Sequence, residues 1–197
     1  MTVRLAPALV AHAVGALSAI LIATSVHAMD IAGVKLEPKV KVVNSELVLN
    51  GAGIRKRVIV NVYIGALYLQ EKKSTGADAV NLPGAKRMHL QMLREVSGQQ
   101  FVDAMKESVK YNTSQADLDK IASELTEFYG SVSTIGAMKA GDVITLDLVP
   151  NSGLVTAMGG KQLGKPIASP DLFKAILRIF IGDKPVDEGL KKGMFGS

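Results

Sequence analysis

The sequence contains no cysteine, and it has only three histidines. The absence of cysteine excludes disulfides, thiolate nucleophiles and cysteine metal sites. His12 and His27 lie in an apolar N-terminal segment, which leaves His89 as the single histidine after residue 28. Catalysis by a histidine general base and a histidine-rich metal site are therefore poorly supported, and we expect neither a metal nor a cofactor.

Several enzyme signatures are also missing. The chain has no GxSxG, HExxH or P-loop lysine motif, and no GxGxxG at the head of a βαβ unit. Gly51-Ala52-Gly53 is not followed by the helix that a dinucleotide site needs. These absences argue against the common serine hydrolases, zinc peptidases and nucleotide-binding enzymes.

Charge and aromatic residues are both modest. The formal net charge is +5 and aromatic residues make up 5% of the chain, with no long basic run interleaved with aromatics. Nucleic-acid binding is therefore not expected. A weak preference for anionic ligands or anionic lipid surfaces is compatible with the charge. The apolar fraction of 48% and the length of 197 residues predict one globular domain with a real core.

The N-terminus has the three-part form of a secretory signal. Residues 1–28 carry one charged side chain, Arg4, then an alanine- and leucine-rich run that ends in Val26-His27-Ala28. This form predicts cleavage before Met29 and a mature domain of residues 29–197 in the periplasm. The alternative is an uncleaved anchor, because the apolar run is long enough to span a bilayer. Membrane contact is expected only through such an uncleaved signal.

Residues 50–70 are interpreted as the centre of the fold. A small-residue turn, Asn50 to Gly53, is predicted to lead Arg55 into one long strand whose β-branched and aromatic residues alternate. On one continuous strand the odd-numbered Arg55, Asn61 and Tyr63 share a face unless a bulge intervenes. An ordinary hairpin turn at the glycines is the alternative interpretation.

The remaining pattern predicts strands, two helices, strands and a helix. Residues 86–94 alternate as a strand with one dry and one polar face, and His89 on the polar face is expected to be solvated. Ser97 opens a helix with a capping box, and a second helix runs from about Ser114 to Gly130. An antiparallel meander from Val143 precedes a helix that opens at Ser169. This order predicts an α+β domain with a mainly antiparallel sheet.

Arg55 is the candidate functional residue. Its planar donor fork is always charged and suits a carboxylate, phenolate or enolate oxygen. In an apolar cleft such a fork can bind an acid or stabilise an oxyanion during a reaction. The alternative is an ordinary surface arginine beside Lys56 and Arg57.

Five segments occur in order within residues 31–193: Asn50 to Arg55, Tyr63 to Leu69, Arg94 to Gly98, Leu177 to Gly182, and Pro185-Val186. Together they resemble the chalcone isomerase superfamily over most of this range, and most closely its bacterial exported branch. The resemblance implies an open-faced β-sandwich, in which helices lie on one side of a large antiparallel sheet with a cleft between them.

The resemblance also implies site residues. In the plant enzymes that close the flavanone ring, an arginine at the position of Arg55 steers the phenolate oxygen without a metal or cofactor. Tyr63 falls where those enzymes have a core-strand threonine. Phe101, Ser108 and Ile179 replace, respectively, a tyrosine, an asparagine and a hydroxyl residue, so most of the polar ring is lost.

Three hypotheses remain open. The first is a non-catalytic exported protein that binds a small amphipathic carboxylate or fatty acid, with Arg55 as the anion anchor and Tyr63, Phe101, Ser108 and Ile179 as lining residues. The second is a cofactor-independent isomerase, or intramolecular lyase, that uses Arg55 and Tyr63. The third is an envelope scaffold with a vestigial cleft, for which Arg55 would be exposed and no enclosed apolar pocket would lie beside it.

Overall fold

The computed structural model describes residues 28–196. Residues 1–27, which hold nearly all of the predicted signal, lie outside the described residues. The strands are β1 (Met29–Ile31), β2 (Val34–Leu36), β3 (Lys39–Val42), β4 (Ser45–Arg57), β5 (Val60–Leu69), β6 (Lys86–Met92), β7 (Val96–Ser97), β8 (Ala137–Met138), β9 (Val143–Val149), β10 (Gly153–Met158) and β11 (Lys161–Ile167). The helices are α1 (Gly76–Asn81), α2 (Gly98–Asn112), α3 (Gln115–Lys120), α4 (Ala122–Ser133), α5 (Pro170–Ile181) and α6 (Glu188–Met194).

One seven-stranded sheet dominates the structure. Its strand order is β11-β10-β9-β6-β5-β4-β3, and each neighbouring pair is antiparallel. Two further pairs, β1 with β2 and β7 with β8, form small separate sheets. The predicted α+β architecture with a large antiparallel sheet is confirmed.

The main core lies between the sheet and the helices. On β6, Met88, Leu90 and Met92 are buried in this core, whereas Arg87 and His89 lie on the other face of the sheet. This is the alternation that the sequence predicts for β6. A smaller apolar cluster covers part of the outer face and includes Leu36, Leu47, Ile64, Ala66 and Tyr68.

The prediction of one long strand at residues 50–70 is wrong, because the segment is a hairpin. β4 runs through Asn50 to Arg57, and the chain turns at Val58 and Ile59 before β5. Both turn residues, Val58 and Ile59, are β-branched. Neither is a glycine, asparagine or proline, the residues that usually mark a turn. The apolar alternation continues through the turn, so the sequence pattern does not show it.

The predicted turn at Asn50 to Gly53 is strand, and its glycines serve a different purpose. A Cβ at Gly51 would lie 2.5 Å from the Gly193 carbonyl oxygen, and one at Gly53 would lie 2.5 Å from the Leu190 carbonyl oxygen. Helix α6 therefore packs directly on the β4 backbone, which only glycine permits. The Asn50 side chain also donates to the carbonyl of Met194 at 2.7 Å.

The helices beside the sheet follow the predicted starts better than the predicted ends. At α2 the Gln100 N–H donates to Ser97 Oγ at 3.1 Å and the Ser97 N–H donates to Gln100 Oε1 at 3.2 Å, which confirms the capping box. The helix predicted from Ser114 divides into α3 and α4 at Ile121, and α4 continues past Gly130. Gly130 is exposed and has open space beside it, and the helix continues through it to Ser133.

Candidate functional site

A cavity of about 170 Å³ lies between the β4–β5 hairpin and helices α2 and α5. All five residues singled out by the sequence analysis line it: Arg55, Tyr63, Phe101, Ser108 and Ile179. The structure thus brings together three elements that are far apart in the sequence. The binding or catalytic role of these residues stays a prediction.

Arg55 and Tyr63 meet because they are partners across the hairpin. Arg55 on β4 is paired with Tyr63 on β5, and the register shifts between Arg55 and Lys56. Directly opposed residues of an antiparallel pair point to the same face. The shared face was expected, but the expected cause, a single strand, is wrong.

Asn61 departs from the expectation. It pairs with Lys56 beyond the register shift, is exposed to solvent, and does not line the cavity. The register shift is a β-bulge, and it turns the side chains at the end of the hairpin away from the face that carries Arg55. The predicted face therefore keeps Arg55 and Tyr63 and loses Asn61.

The Arg55 guanidinium has spare donors. Arg55 is half-buried, and its Nη1 donates to the carbonyl of the adjacent Lys56 at 2.8 Å. None of the ion pairs within residues 28–196 includes Arg55. A guanidinium has five N–H donors, so the fork retains donors for an oxyanion in the cavity.

Two further arginines, Arg57 and Arg94, also line the cavity and are exposed at its mouth. One acidic residue, Glu95, lies among the lining residues. Three cations against one acid favour an anionic ligand and raise its local concentration. No sequence pattern predicts that Arg57 and Arg94 line the cavity, although Arg94 belongs to one of the segments that carry the resemblance.

The Tyr63 hydroxyl stays protonated at neutral pH. Tyr63 is 5% exposed. Burial raises the pKa of its hydroxyl, the Arg55 guanidinium opposes this shift, and the negative charge of Asp187 adds to it. A neutral hydroxyl beside a guanidinium can donate to the same ligand oxygen as Arg55.

Asp187 joins the site to the C-terminal helix. Its Oδ1 accepts from the Leu190 N–H at 2.8 Å as the N-cap of α6, and its Oδ2 accepts from the Lys56 N–H at 2.8 Å. The Asp187 carboxylate thus links the first turn of α6 to the backbone of the hairpin. Asp187 is not among the residues predicted for the site, although an aspartate three residues before an apolar helical position is a capping signal.

The other cavity walls are mainly apolar. Phe101 and Met105 come from α2, and Ile179 and Phe180 come from α5; all four are buried. Ser108 is half-buried, and its hydroxyl donates to the Ala104 carbonyl at 2.8 Å within α2. The hydroxyl hydrogen of Ser108 is therefore already used within the helix.

His89 lies on the opposite face of the sheet and is not simply solvated, contrary to expectation. It is half-buried, its Nε2 is buried without a hydrogen-bond partner, and its ring meets Tyr68 edge-on at 6.4 Å. Burial, with the charge of Arg87, lowers the pKa of the imidazole, which favours its neutral form.

Within residues 28–196, no group of three histidine, aspartate or glutamate side chains is arranged to hold a metal ion. Among the helices of the same residues, none combines the length and apolar content that a bilayer span requires.

The chain is similar to known proteins in sequence pattern and in fold. Its structure matches that of a fatty-acid binding protein of Arabidopsis thaliana with a TM-score of 0.64 and 18% identity, over 83% of this chain and 92% of the plant chain. No curated protein matches the sequence. The family profile described as chalcone isomerase-like matches residues 28–196. Because that match spans the whole described region, the chain belongs to the chalcone isomerase-like family.

Proposed function

We propose that the protein binds a small amphipathic carboxylate, such as a fatty acid, with Arg55 as the anion anchor. One observation carries the proposal: the Arg55 guanidinium has no acidic partner in the described residues, and it lies beside the protonated Tyr63 hydroxyl in a cavity whose wall includes the apolar side chains of Phe101 and Ile179. A carboxylate placed there would accept charge-assisted hydrogen bonds. Its hydrocarbon part would contact Phe101 and Ile179.

The composition of the wall favours binding over catalysis. The positions that carry a tyrosine and a hydroxyl residue in the plant enzymes hold Phe101 and Ile179 here. Each lost oxyanion donor would cost a catalyst on the order of 3 kcal/mol in the transition state, whereas an apolar wall is suitable for an alkyl chain. The fatty-acid binding protein with the same fold is consistent with this use.

The size of the cavity suggests a short ligand. A cavity of about 170 Å³ is smaller than the roughly 300–1,000 Å³ typical of drug-sized sites. We therefore propose that acids of short or medium chain length fit best. We also propose that the protein acts in the periplasm after removal of residues 1–28, which mass spectrometry of the purified protein would test by its N-terminus.

Removal of Arg55 tests the anchor. Arg55→Ala is expected to weaken binding of octanoate by about tenfold or more, because charge-assisted hydrogen bonds to the carboxylate are lost. Calorimetric titration of both proteins measures the change. The matched control is Arg178→Ala, since Arg178 is a half-buried arginine on α5 that does not line this cavity. Equal octanoate affinity in Arg55→Ala and the unchanged protein would exclude Arg55 as the anion anchor.

A second candidate function is a cofactor-independent isomerase, and the Arg55–Tyr63 pair favours it. A guanidinium and a neutral hydroxyl on one face can stabilise a phenolate or enolate. A chalcone cyclisation assay tests the nearest version, and a rate no greater than that in buffer would exclude it. The scaffold hypothesis fits less well, since it predicts an exposed Arg55, whereas Arg55 is half-buried at the wall of a cavity.

A further inference from the structure

The tip of the β4–β5 hairpin exposes a contiguous apolar surface. Val58 is 92% exposed, Ile59 is 89% exposed and Val60 is 41% exposed. These three consecutive residues make up half of the large hydrophobic residues exposed in residues 28–196. Single exposed apolar side chains are ordinary, but a continuous group at the end of a projecting hairpin is typical of an interaction surface.

The fold gains nothing evident from these side chains. The turn has two loop residues, Val58 and Ile59, and a positive φ of 59° at Val58 alone. That pattern belongs to a type II′ turn, in which glycine is favoured at the first loop position. A β-branched residue with positive φ is strained. The hairpin therefore carries apolar side chains where a glycine would suit the backbone better.

Cations precede the tip on the hairpin, and one carboxylate from outside the hairpin, Asp187, lies against them, where it accepts from the Lys56 backbone N–H. Arg55, Lys56 and Arg57 precede the tip, and no acidic residue occurs in the sequence between Glu46 and Glu71. Lys56 and Arg57 are exposed, and neither belongs to an ion pair within the described residues. An apolar tip bordered by exposed cations complements a bilayer whose surface carries anionic phosphates.

We propose that residues 56–60, the basic hairpin tip, dock on an anionic lipid bilayer. Val58 and Ile59 enter the boundary between headgroups and acyl chains, while Lys56 and Arg57 contact lipid phosphates. Because Arg57 also lines the cavity, docking brings the cavity mouth to the membrane surface. This extends the sequence-based expectation, which placed membrane contact only in an uncleaved signal. It does not depend on ligand binding in the cavity.

Replacement of the tip separates lipid contact from fold stability. The double variant Val58→Gly with Ile59→Asn places favoured type II′ residues in the turn. It is expected to unfold at the same or a higher temperature. Its affinity for vesicles of phosphatidylcholine and phosphatidylglycerol is expected to fall by about tenfold or more, because the inserted apolar groups are lost. Co-sedimentation of protein purified after expression of the full gene measures the affinity, with its N-terminus read by mass spectrometry.

The control and the charge variant refine the test. Val43 is also exposed and has a positive φ of 53° in the turn between β3 and β4, so Val43→Gly makes a similar turn change elsewhere and is expected to leave vesicle affinity unchanged. Lys56→Gln with Arg57→Gln is expected to lower affinity for anionic vesicles about tenfold and to weaken its dependence on salt.

Three results would overturn the proposal. One is equal binding of the unchanged protein to anionic vesicles and to pure phosphatidylcholine vesicles. Another is undiminished vesicle affinity in the Val58→Gly, Ile59→Asn variant. The third is self-association of the unchanged protein, lost in that variant, without vesicle binding, which would assign the tip to an interface between two copies. None of these results bears on octanoate binding by Arg55.

Discussion

Lys86 is the one cation that is fully buried in the described residues, with 2% of its surface exposed. Its Nζ donates to the carbonyl of Leu82, the residue that ends α1. Burial first, and then the nearby charge of Lys174, lower the pKa of the Lys86 amine to about 8. The buried amine therefore closes the C-terminus of a short helix at a cost in solvation.

That cost depends on pH. A lysine in the unfolded chain titrates near 10.5. Below about pH 8 both states are protonated and the fold bears the whole cost of the buried charge. Between about pH 8 and 10.5 the folded state loses the proton first, so this group makes stability rise with pH.

Lys86→Met is therefore expected to stabilise the protein at pH 7. The expected gain in the free energy of unfolding is about 1 kcal/mol, because the charge penalty exceeds the loss of one hydrogen bond. The gain should shrink between about pH 8 and 10.5. Urea unfolding across this range measures it, with the exposed Lys161→Met as control. A loss of stability at pH 7 would show that the bond to Leu82 dominates.

At the scale of elements, the contact between α6 and β4 explains the glycines of residues 50–53. Sequence reasoning interpreted Gly51 and Gly53 as a turn, which is the commoner reason for such glycines. Their actual role requires a helix more than 130 residues later in the chain to lie against this strand. No local pattern shows that approach, because the residues that meet are distant in sequence.

Gly53→Ala is expected to lower the free energy of unfolding by about 1–3 kcal/mol, since the new Cβ meets rigid backbone. It would lie 2.5 Å from the Leu190 carbonyl oxygen, so α6 must shift. Gly130→Ala is the matched control: open space surrounds Gly130 in α4, and alanine there is expected to stabilise by up to about 1 kcal/mol. Thermal unfolding of both variants distinguishes them, and an unchanged Gly53→Ala protein would contradict the packing.

At the scale of the whole molecule, burial of tyrosines makes the stability of the fold depend on pH in the alkaline range. Burial raises the pKa of Tyr129 to about 12, and burial with the charge of Glu37 raises that of Tyr68 to about 12, from 10.0 for a free tyrosine. The pKa of Tyr63 is raised as well. Between about pH 10 and 12 the hydroxyls of these tyrosines are thus neutral in the folded state, whereas in the unfolded chain they are ionised.

Stability is therefore expected to fall as the pH rises above about 10. Below that pH the tyrosines are neutral in both states and have no such effect. Tyr129→Phe should make the fall shallower and leave stability at pH 8 almost unchanged, because burial is the resolved cause of its shift. Melting temperatures between pH 8 and 11.5 measure the slope. An identical slope in the variant would contradict the assignment.

The sequence by itself determined most element types, the antiparallel meander and the capping box, while the family resemblance supplied the five residues that line one cavity. Period-two alternation and helix caps are local, so neighbouring residues carry them. Only the tertiary structure decided that β4 and β5 form a hairpin, that Arg55 and Tyr63 oppose each other, and that α6 rests on glycines. The turn at Val58 has no local turn signal, and the other contacts join residues that meet only when the sheet and helices pack.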